Sequence, residues 1–141
     1  MELRIEHGPD TSRVKAYIEN GLIAFNLQHF PDELKGRYQE IQLSLRDGDG
    51  LVHGGLTGEI CWNWLEVEYL YVDEAYRKLG YGMKLLQEAE RLARENQCDF
   101  IKLDTLSFQA PDFYVKQGFE VYGTILNAGG HTHYYLKKNL C

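Results

Sequence analysis

Arg77-Lys78-Leu79-Gly80-Tyr81-Gly82 opens straight into Met83-Lys84-Leu85-Leu86-Gln87-Glu88-Ala89-Glu90-Arg91-Leu92-Ala93. In the second stretch Leu85, Leu86, Ala89, Leu92 and Ala93 fall on one stripe at helical spacing, predicting a helix from about Gly82 to Asn96, with Asn96 as a left-handed stop. The first six residues therefore form the turn between a preceding strand and a helix N-terminus. There the first amide hydrogens lack internal partners, and the helix dipole favours an anion. Gly80 and Gly82 remove side chains that would keep a phosphate from those amides, while Arg77 and Lys78 add positive charge. The same residues also fit a basic loop with two turn glycines. They do not form a Gly-Lys-Ser/Thr phosphate loop or the dinucleotide-binding glycine pattern.

Upstream of this turn, Trp64 to Val72 reads as the strand that feeds it. Before that, Leu51 to Cys61 is a glycine-rich strand, and Trp62-Asn63 reverses the chain between the two. Ile41, Leu43 and Leu45 alternate with polar residues, and Asp47-Gly48-Asp49-Gly50 has strong hairpin chemistry, so these three strands form an antiparallel meander. At the N-terminus Leu3 and Ile5 alternate with Arg4 and Glu6, predicting a first half-buried strand. Gly8-Pro9-Asp10 ends it, and Asp10, Thr11 and Ser12 are N-cap candidates for a helix to about Asn20. Gly21 to Arg37 reads as helix, loop and short helix, broken at Pro31.

Downstream, Phe100, Ile101 and Leu103 predict a buried strand. Gln109 to Gln117 predicts a short helix with Pro111 in its first turn and Gly118 at its end. Phe119–Ile125 and His133–Leu136 predict two more strands around Asn127-Ala128-Gly129-Gly130. The expected fold is α+β: a central mixed, mostly antiparallel sheet of about 6–7 strands flanked by about 4 helices, with one parallel crossover. Residues 1–141 are expected to form a single domain.

Hydrophobic residues make up 44% and charged residues 26% of the 141, the balance of an ordinary globular protein. The net charge of -6 argues against a nucleic-acid partner, whose phosphates need clustered Lys and Arg, and suits a cationic or neutral one. Cys61, Cys98 and Cys141 are widely spaced, with no Cys-x-x-Cys pair, so they read as two buried apolar residues and a terminal thiol. His131 and His133 flank Thr132 with no third ligand in sequence, so no metal site is expected. The N-terminus lacks an apolar signal core, and no run approaches membrane-spanning length. The expected setting is cytoplasmic, away from a membrane.

The loop at Arg77–Gly82 resembles the acyl-CoA pyrophosphate loop of the GNAT N-acetyltransferase superfamily, Arg/Gln-x-x-Gly-x-Gly/Ala. Ala110-Pro111-Asp112-Phe113-Tyr114-Val115-Lys116-Gln117-Gly118-Phe119 is similar to a second motif of that family, Ala-x-x-x-Tyr-x-x-x-Gly-Phe. The element order matches as well, and the resemblance spans nearly the whole chain. One departure stands out: Ser107 occupies the position where members often carry an Asn that helps hold the pantetheine arm.

The resemblance implies an acetyl-CoA-dependent N-acetyltransferase that needs no metal. It assigns acetyl-CoA contacts to Leu70, Tyr71, Val72, Arg77, Lys78, Leu79, Gly80, Tyr81, Gly82, Ser107 and Tyr114. In similar enzymes the tyrosine at position 114 faces the sulfur and serves as the acid, and a backbone N–H near Leu70 receives the oxyanion. A Glu on the same strand often acts as base; Glu66 and Glu68 are both present, with Glu66 the better match. Being two apart they are expected on one face, each raising the other's pKa, although two solvated edge acids would look the same. The expected acceptor is a primary amine on a small cationic molecule, attacking directly. The rival reading is a non-catalytic acyl-CoA-binding regulatory or interaction module. Strand-mediated dimers are common among similar proteins, so a homodimer is a further expectation.

Overall fold

Among the described residues six strands form one sheet: β1 (Tyr38–Arg46), β2 (Val52–Cys61), β3 (Trp64–Val72), β4 (Phe100–Leu106), β5 (Glu120–Ala128) and β6 (His131–Asn139). Their spatial order is β1-β2-β3-β4-β6-β5, and every pairing is antiparallel except β3 with β4. The helices are α1 (Ser12–Leu27), α2 (Tyr81–Glu95) and α3 (Pro111–Lys116), with short 3-10 turns at Asp32–Leu34, Glu74–Tyr76 and Ser107–Gln109. This computed structural model describes residues 1–8 and 12–140. The chain divides into two compact units, Met1–Gly36 and Arg37–Cys141.

In the first unit the expected strand at Leu3–Ile5 does not form. Residues 1–8 have no regular structure, and Leu3 and Ile5 are 91% and 95% exposed. A short alternation supplies no hydrogen bonds of its own, so it becomes a strand only beside an edge that pairs with it. The expected caps Asp10 and Thr11 lie outside the described residues, as do Pro9 and Cys141. Helix α1 runs past Asn20 and through Gly21 to Leu27, because a single helical glycine weakens a helix without ending it.

The second unit holds the core. Leu85, Leu86, Ala89 and Ala93 of α2 are buried in one cluster with Ile41, Leu56, Ile60, Leu65, Val67, Ile101, Leu103 and Leu136 of β1, β2, β3, β4 and β6. Each large aliphatic side chain so buried contributes roughly 1.5–3 kcal/mol relative to exposure. The C-terminus of α2 closes one residue later than expected: Asn96 is the cap at φ -95°, and Gln97 at φ 60° takes the left-handed position. Cys98 N–H then reaches Ala93 O at 2.8 Å and Gln97 N–H reaches Arg94 O at 3.0 Å, a Schellman closure. Lys138 of β6 binds Glu90 of α2 at 2.5 Å and the carbonyl of Gln117 at 2.9 Å, joining α2, β6 and the end of α3.

The expected hairpin turn at Asp47–Gly50 forms. Asp47 Oδ1 accepts from the amides of Asp49 (2.8 Å) and Leu51 (3.1 Å), while Gly50 at φ 84° takes the conformation a side chain would resist. Of the thiols, Cys98 is buried, but Cys61 is only half-buried, 3.5 Å from Glu59 Oε1. Burial and that carboxylate push the Cys61 thiol up to about 12, so it stays protonated.

One irregularity decides what lies next to α2. Between β2 and β3, Gly58 pairs with Val67 and Thr57 pairs with Tyr69, leaving Glu68 as an extra residue in β3. Leu65 and Val67 face the core before this bulge, and Leu70 and Val72 pack on it afterwards. Gly58 lies beside the bulge, where a Cβ would run into the carbonyl oxygen of Glu66. Gly58→Ala should therefore cost roughly 1–3 kcal/mol, read as a lower midpoint in urea unfolding.

Candidate active site

Strands β3 and β4 run side by side only from Trp64↔Phe100 to Glu66↔Lys102. Beyond the Glu68 bulge they part. Toward their C-terminal ends each keeps its outer neighbour: β3 stays paired with β2 through Val72, and β4 with β6 through Leu106. The inner edges of Glu68–Val72 and Asp104–Leu106 are left facing a cleft of about 850 Å³. Parallel strands that diverge in this way leave main-chain donors and acceptors free for an extended ligand arm.

The cleft brings together Glu68, Leu70, Tyr71, Val72, Arg77 and Tyr114 from the sequence-expected set. Glu66 is not among its lining residues: it pairs with Glu59 across the sheet, and its carboxylate lies 3.9 Å from Lys102 Nζ. Both glutamates alternate with the core-facing Leu65 and Val67 and so stay off the core face, but only Glu68 lines the cleft. Ser107 is not among the lining residues either, and its hydroxyl accepts a 3.2 Å bond from the amide of Thr132. The lining also includes Asp104 and His133, whose side chains meet at 3.2 Å, with Tyr135 Oη 3.3 Å from His133 Nδ1. Both stand on paired strands in β-sheet register, a juxtaposition made by the β4–β6 ladder and invisible in sequence.

Tyr114 rests on α3, which Gly118 closes at φ 97°. Phe119 N–H binds Tyr114 O at 3.1 Å and Gly118 N–H binds Val115 O at 3.0 Å, a second Schellman closure. Phe113 and Phe119 stand edge-on to the Tyr114 ring at 5.1 and 6.0 Å. Burial raises the phenol above its ordinary value of 10.0, since a phenolate would lose its hydration there. The helix is shorter than expected, because Ala110 at φ 62° breaks it from the Ser107–Gln109 turn.

The turn from β3 into α2 has the expected form. Gly80 at φ 88° is the N-cap of α2, and a Cβ there would meet nothing within 4 Å. Lacking a side chain, it leaves the first-turn amides open. A Cβ on Gly82 would lie 3.3 Å from Phe113 Cζ, so its smallness also seats α3 against α2. Arg77 Nε donates to Val72 O at 2.8 Å and its guanidinium lies 5.4 Å from the centre of the Tyr71 ring, fixing it at the cleft wall. Lys78 takes a left-handed φ of 64°, and Leu79 is 62% exposed. The Tyr81 ring lines a second, smaller cavity with Tyr76 and His53. Among the described residues no group of three or more His, Cys, Asp or Glu is placed to hold a metal ion, and no helix is long and apolar enough to cross a membrane.

A helix N-terminus with no side-chain cap, entered from a strand, is the setting that the Arg77–Gly82 motif requires. The model of the acetyltransferase (GNAT) family matches residues 14–119. The chain belongs to this family. This GNAT chain is 36% identical over 110 residues to the blasticidin-S acetyltransferase of Streptomyces morookaense, covering 76% of its own length and 81% of that protein. It is 35% identical over 108 residues to acetyltransferase Atu2258 of Agrobacterium fabrum, covering 77% of each. The crystal structure of an acetyltransferase from Bacillus cereus superposes with a TM-score of 0.89 at 38% identity over 98% of both chains. The GNAT chain is thus an acyltransferase, and members of its family use acetyl-CoA.

Burial of Tyr114 gives a direct check. In an alkaline ultraviolet titration two phenols should ionise above the ordinary tyrosine range, Tyr114 through burial and Tyr38 through its hydrogen bond to Glu59, and Tyr114→Phe should remove one of the two transitions.

Proposed function

We propose that this acetyltransferase moves the acetyl group of acetyl-CoA to a primary amine of a small cationic molecule by direct attack. The observation that carries the reading is the splayed cleft, which sets Glu68, the Leu70–Val72 main chain and Tyr114 around one space. The residues present fit acetyl-CoA. The Gly80 turn offers uncapped amides and open space for a pyrophosphate, Arg77 stands at the mouth, and the free β3 edge suits a pantetheine arm.

When bound, acetyl-CoA supplies the activated acyl group as a thioester. Each of the chain's own groups then has one task. The amine is protonated at neutral pH and must lose a proton before it attacks; Glu68, in the cleft, takes that proton directly or through water. Glu66 has Lys102 as its neighbour and is left to the sheet. The Leu70 amide, on the free edge, donates to the oxygen on which charge develops. Tyr114, kept protonated by burial, gives its hydroxyl proton to the departing sulfur. Glu68 and Asp104 lend the cleft negative character that suits a cationic acceptor. A relative named for blasticidin S supports a small-molecule acceptor.

Calorimetric titration with acetyl-CoA, CoA and a nucleotide without the pantetheine arm tests the reading. Binding of acetyl-CoA in the micromolar range is expected, and no binding of any of the three would overturn it. Tyr114→Phe should lower turnover roughly 10- to 1,000-fold with cofactor affinity nearly intact. Unchanged turnover would favour the non-catalytic alternative. Glu68→Gln should reduce kcat/KM far more than Glu66→Gln, and the rate with a cationic amine should fall as salt rises.

A further inference from the structure

Away from the cleft, His53 of β2 is held between two carboxylates. Its Nε2 lies 2.7 Å from Asp47 Oδ2 in the β1–β2 turn, and its Nδ1 lies 3.3 Å from Asp73 Oδ2. Asp73 is the first residue after β3, at the head of the loop that leads to Gly80 and α2. The imidazole also lies against the Tyr76 ring at 4.6 Å, and Tyr76 meets Tyr81 of α2 edge-on at 6.4 Å. One side chain thus touches the hairpin turn and both ends of the loop's 3-10 segment.

Ionised carboxylates only accept hydrogen bonds, so filling both contacts takes an N–H on each ring nitrogen, which is the imidazolium. A neutral ring can serve one carboxylate but turns a lone pair toward the other. The Asp73 amide also donates to His53 O at 2.8 Å. That main-chain bond is independent of protonation and holds the strand end, whereas only the side chain joins Asp73 to Asp47.

We propose that His53 is a positioning residue for the acyl-CoA-binding loop, and that its protonated ring staples the loop to the β1–β2 turn so that cofactor affinity depends on the imidazolium. The proposal rests on the acetyl-CoA reading of that loop. The groups facing the ring are Asp47 and Arg46 from β1 and its turn, Asp73 and Tyr76 from the loop, and Tyr81 from α2. Arg46 would oppose the imidazolium, but its guanidinium is drawn to Ser44 Oγ at 3.2 Å and Gly50 O at 2.9 Å. A cavity of about 270 Å³ beside the ring, lined by Leu45, Arg46, Asp47, Tyr76 and Tyr81, lets protons exchange with solvent.

The sign follows from the partners. The Asp47 hydrogen bond, with a smaller contribution from Asp73, raises His53 above its ordinary 6.5 against the opposing effect of burial. A raised group stabilises the stapled loop fully below about pH 6.5 and loses that stabilisation as pH climbs through the raised value.

The test measures acetyl-CoA affinity by calorimetry from pH 6 to 9 for the wild type and His53→Gln. The ratio of the two dissociation constants cancels proton uptake by the cofactor's own phosphate. At pH 6 the variant should bind roughly five- to twentyfold more weakly, converging with the wild type at pH 9, with kcat at saturating acetyl-CoA changed less than about twofold. Should the variant not fold, the His53 Cε1–H resonance of the wild type is followed by NMR. Its midpoint should lie above 6.5 and rise further when acetyl-CoA is bound, because linkage is reciprocal. A ratio constant with pH, or a midpoint indifferent to acetyl-CoA, overturns the proposal. A wild type that binds no acetyl-CoA at any pH instead fails the functional reading, and the staple with it.

Discussion

The cleft depends on one extra residue in one strand. With Glu68 unpaired against β2, the backbone of β3 changes phase while its partner runs on regularly. Leu70 and Val72 can then pack on the core after Leu65 and Val67 have already done so. Bulges bend a strand and raise its local twist. Here the pairing of β3 with β4 ends before the bulge is reached, and the inner edges open. The glycine at 58 permits it, since a side chain there would occupy the space of the Glu66 carbonyl.

The same device sorts the two glutamates. Glu66 precedes the bulge, lies in regular register and stands near Lys102. Glu68 is the bulge residue itself and lines the cleft. Two acids with nearly identical sequence surroundings thus meet different neighbours. Glycines at 80 and 82 divide in the same manner: one serves a left-handed cap facing open space, the other a close approach to Phe113. Through that approach α2 and α3 are packed together, which relates the Tyr114 helix to the loop at the head of α2.

Side-chain pairs that join distant segments complete the site. Lys138 with Glu90 and Gln117 secures α3 to the sheet, and His53 with Asp47 and Asp73 secures the loop to the hairpin. Each side chain reaches two oxygens on different elements, so each constrains two elements at once.

Local chemistry was legible in sequence wherever a short window carries its own cause. The α2 stripe, the Asp47–Gly50 turn, the Gly80 cap and the Gly118 stop all follow from spacing and backbone preference within a few residues. The bulge, too, left a trace, in the change of phase from Leu65 and Val67 to Leu70 and Val72. Relations between distant segments were not legible. The Leu3–Ile5 alternation carried the pattern of a strand but not the neighbour that makes one. The neighbours of Glu66, Ser107 and Gly82, which are Lys102, Thr132 and Phe113, come from distant segments, and two aspartates 26 residues apart, 47 and 73, close on His53. Periodicity and turn propensity act through the local backbone and so are written in sequence. Which side chains meet across a sheet depends on register and on where strands part, and those are settled only when the whole core packs.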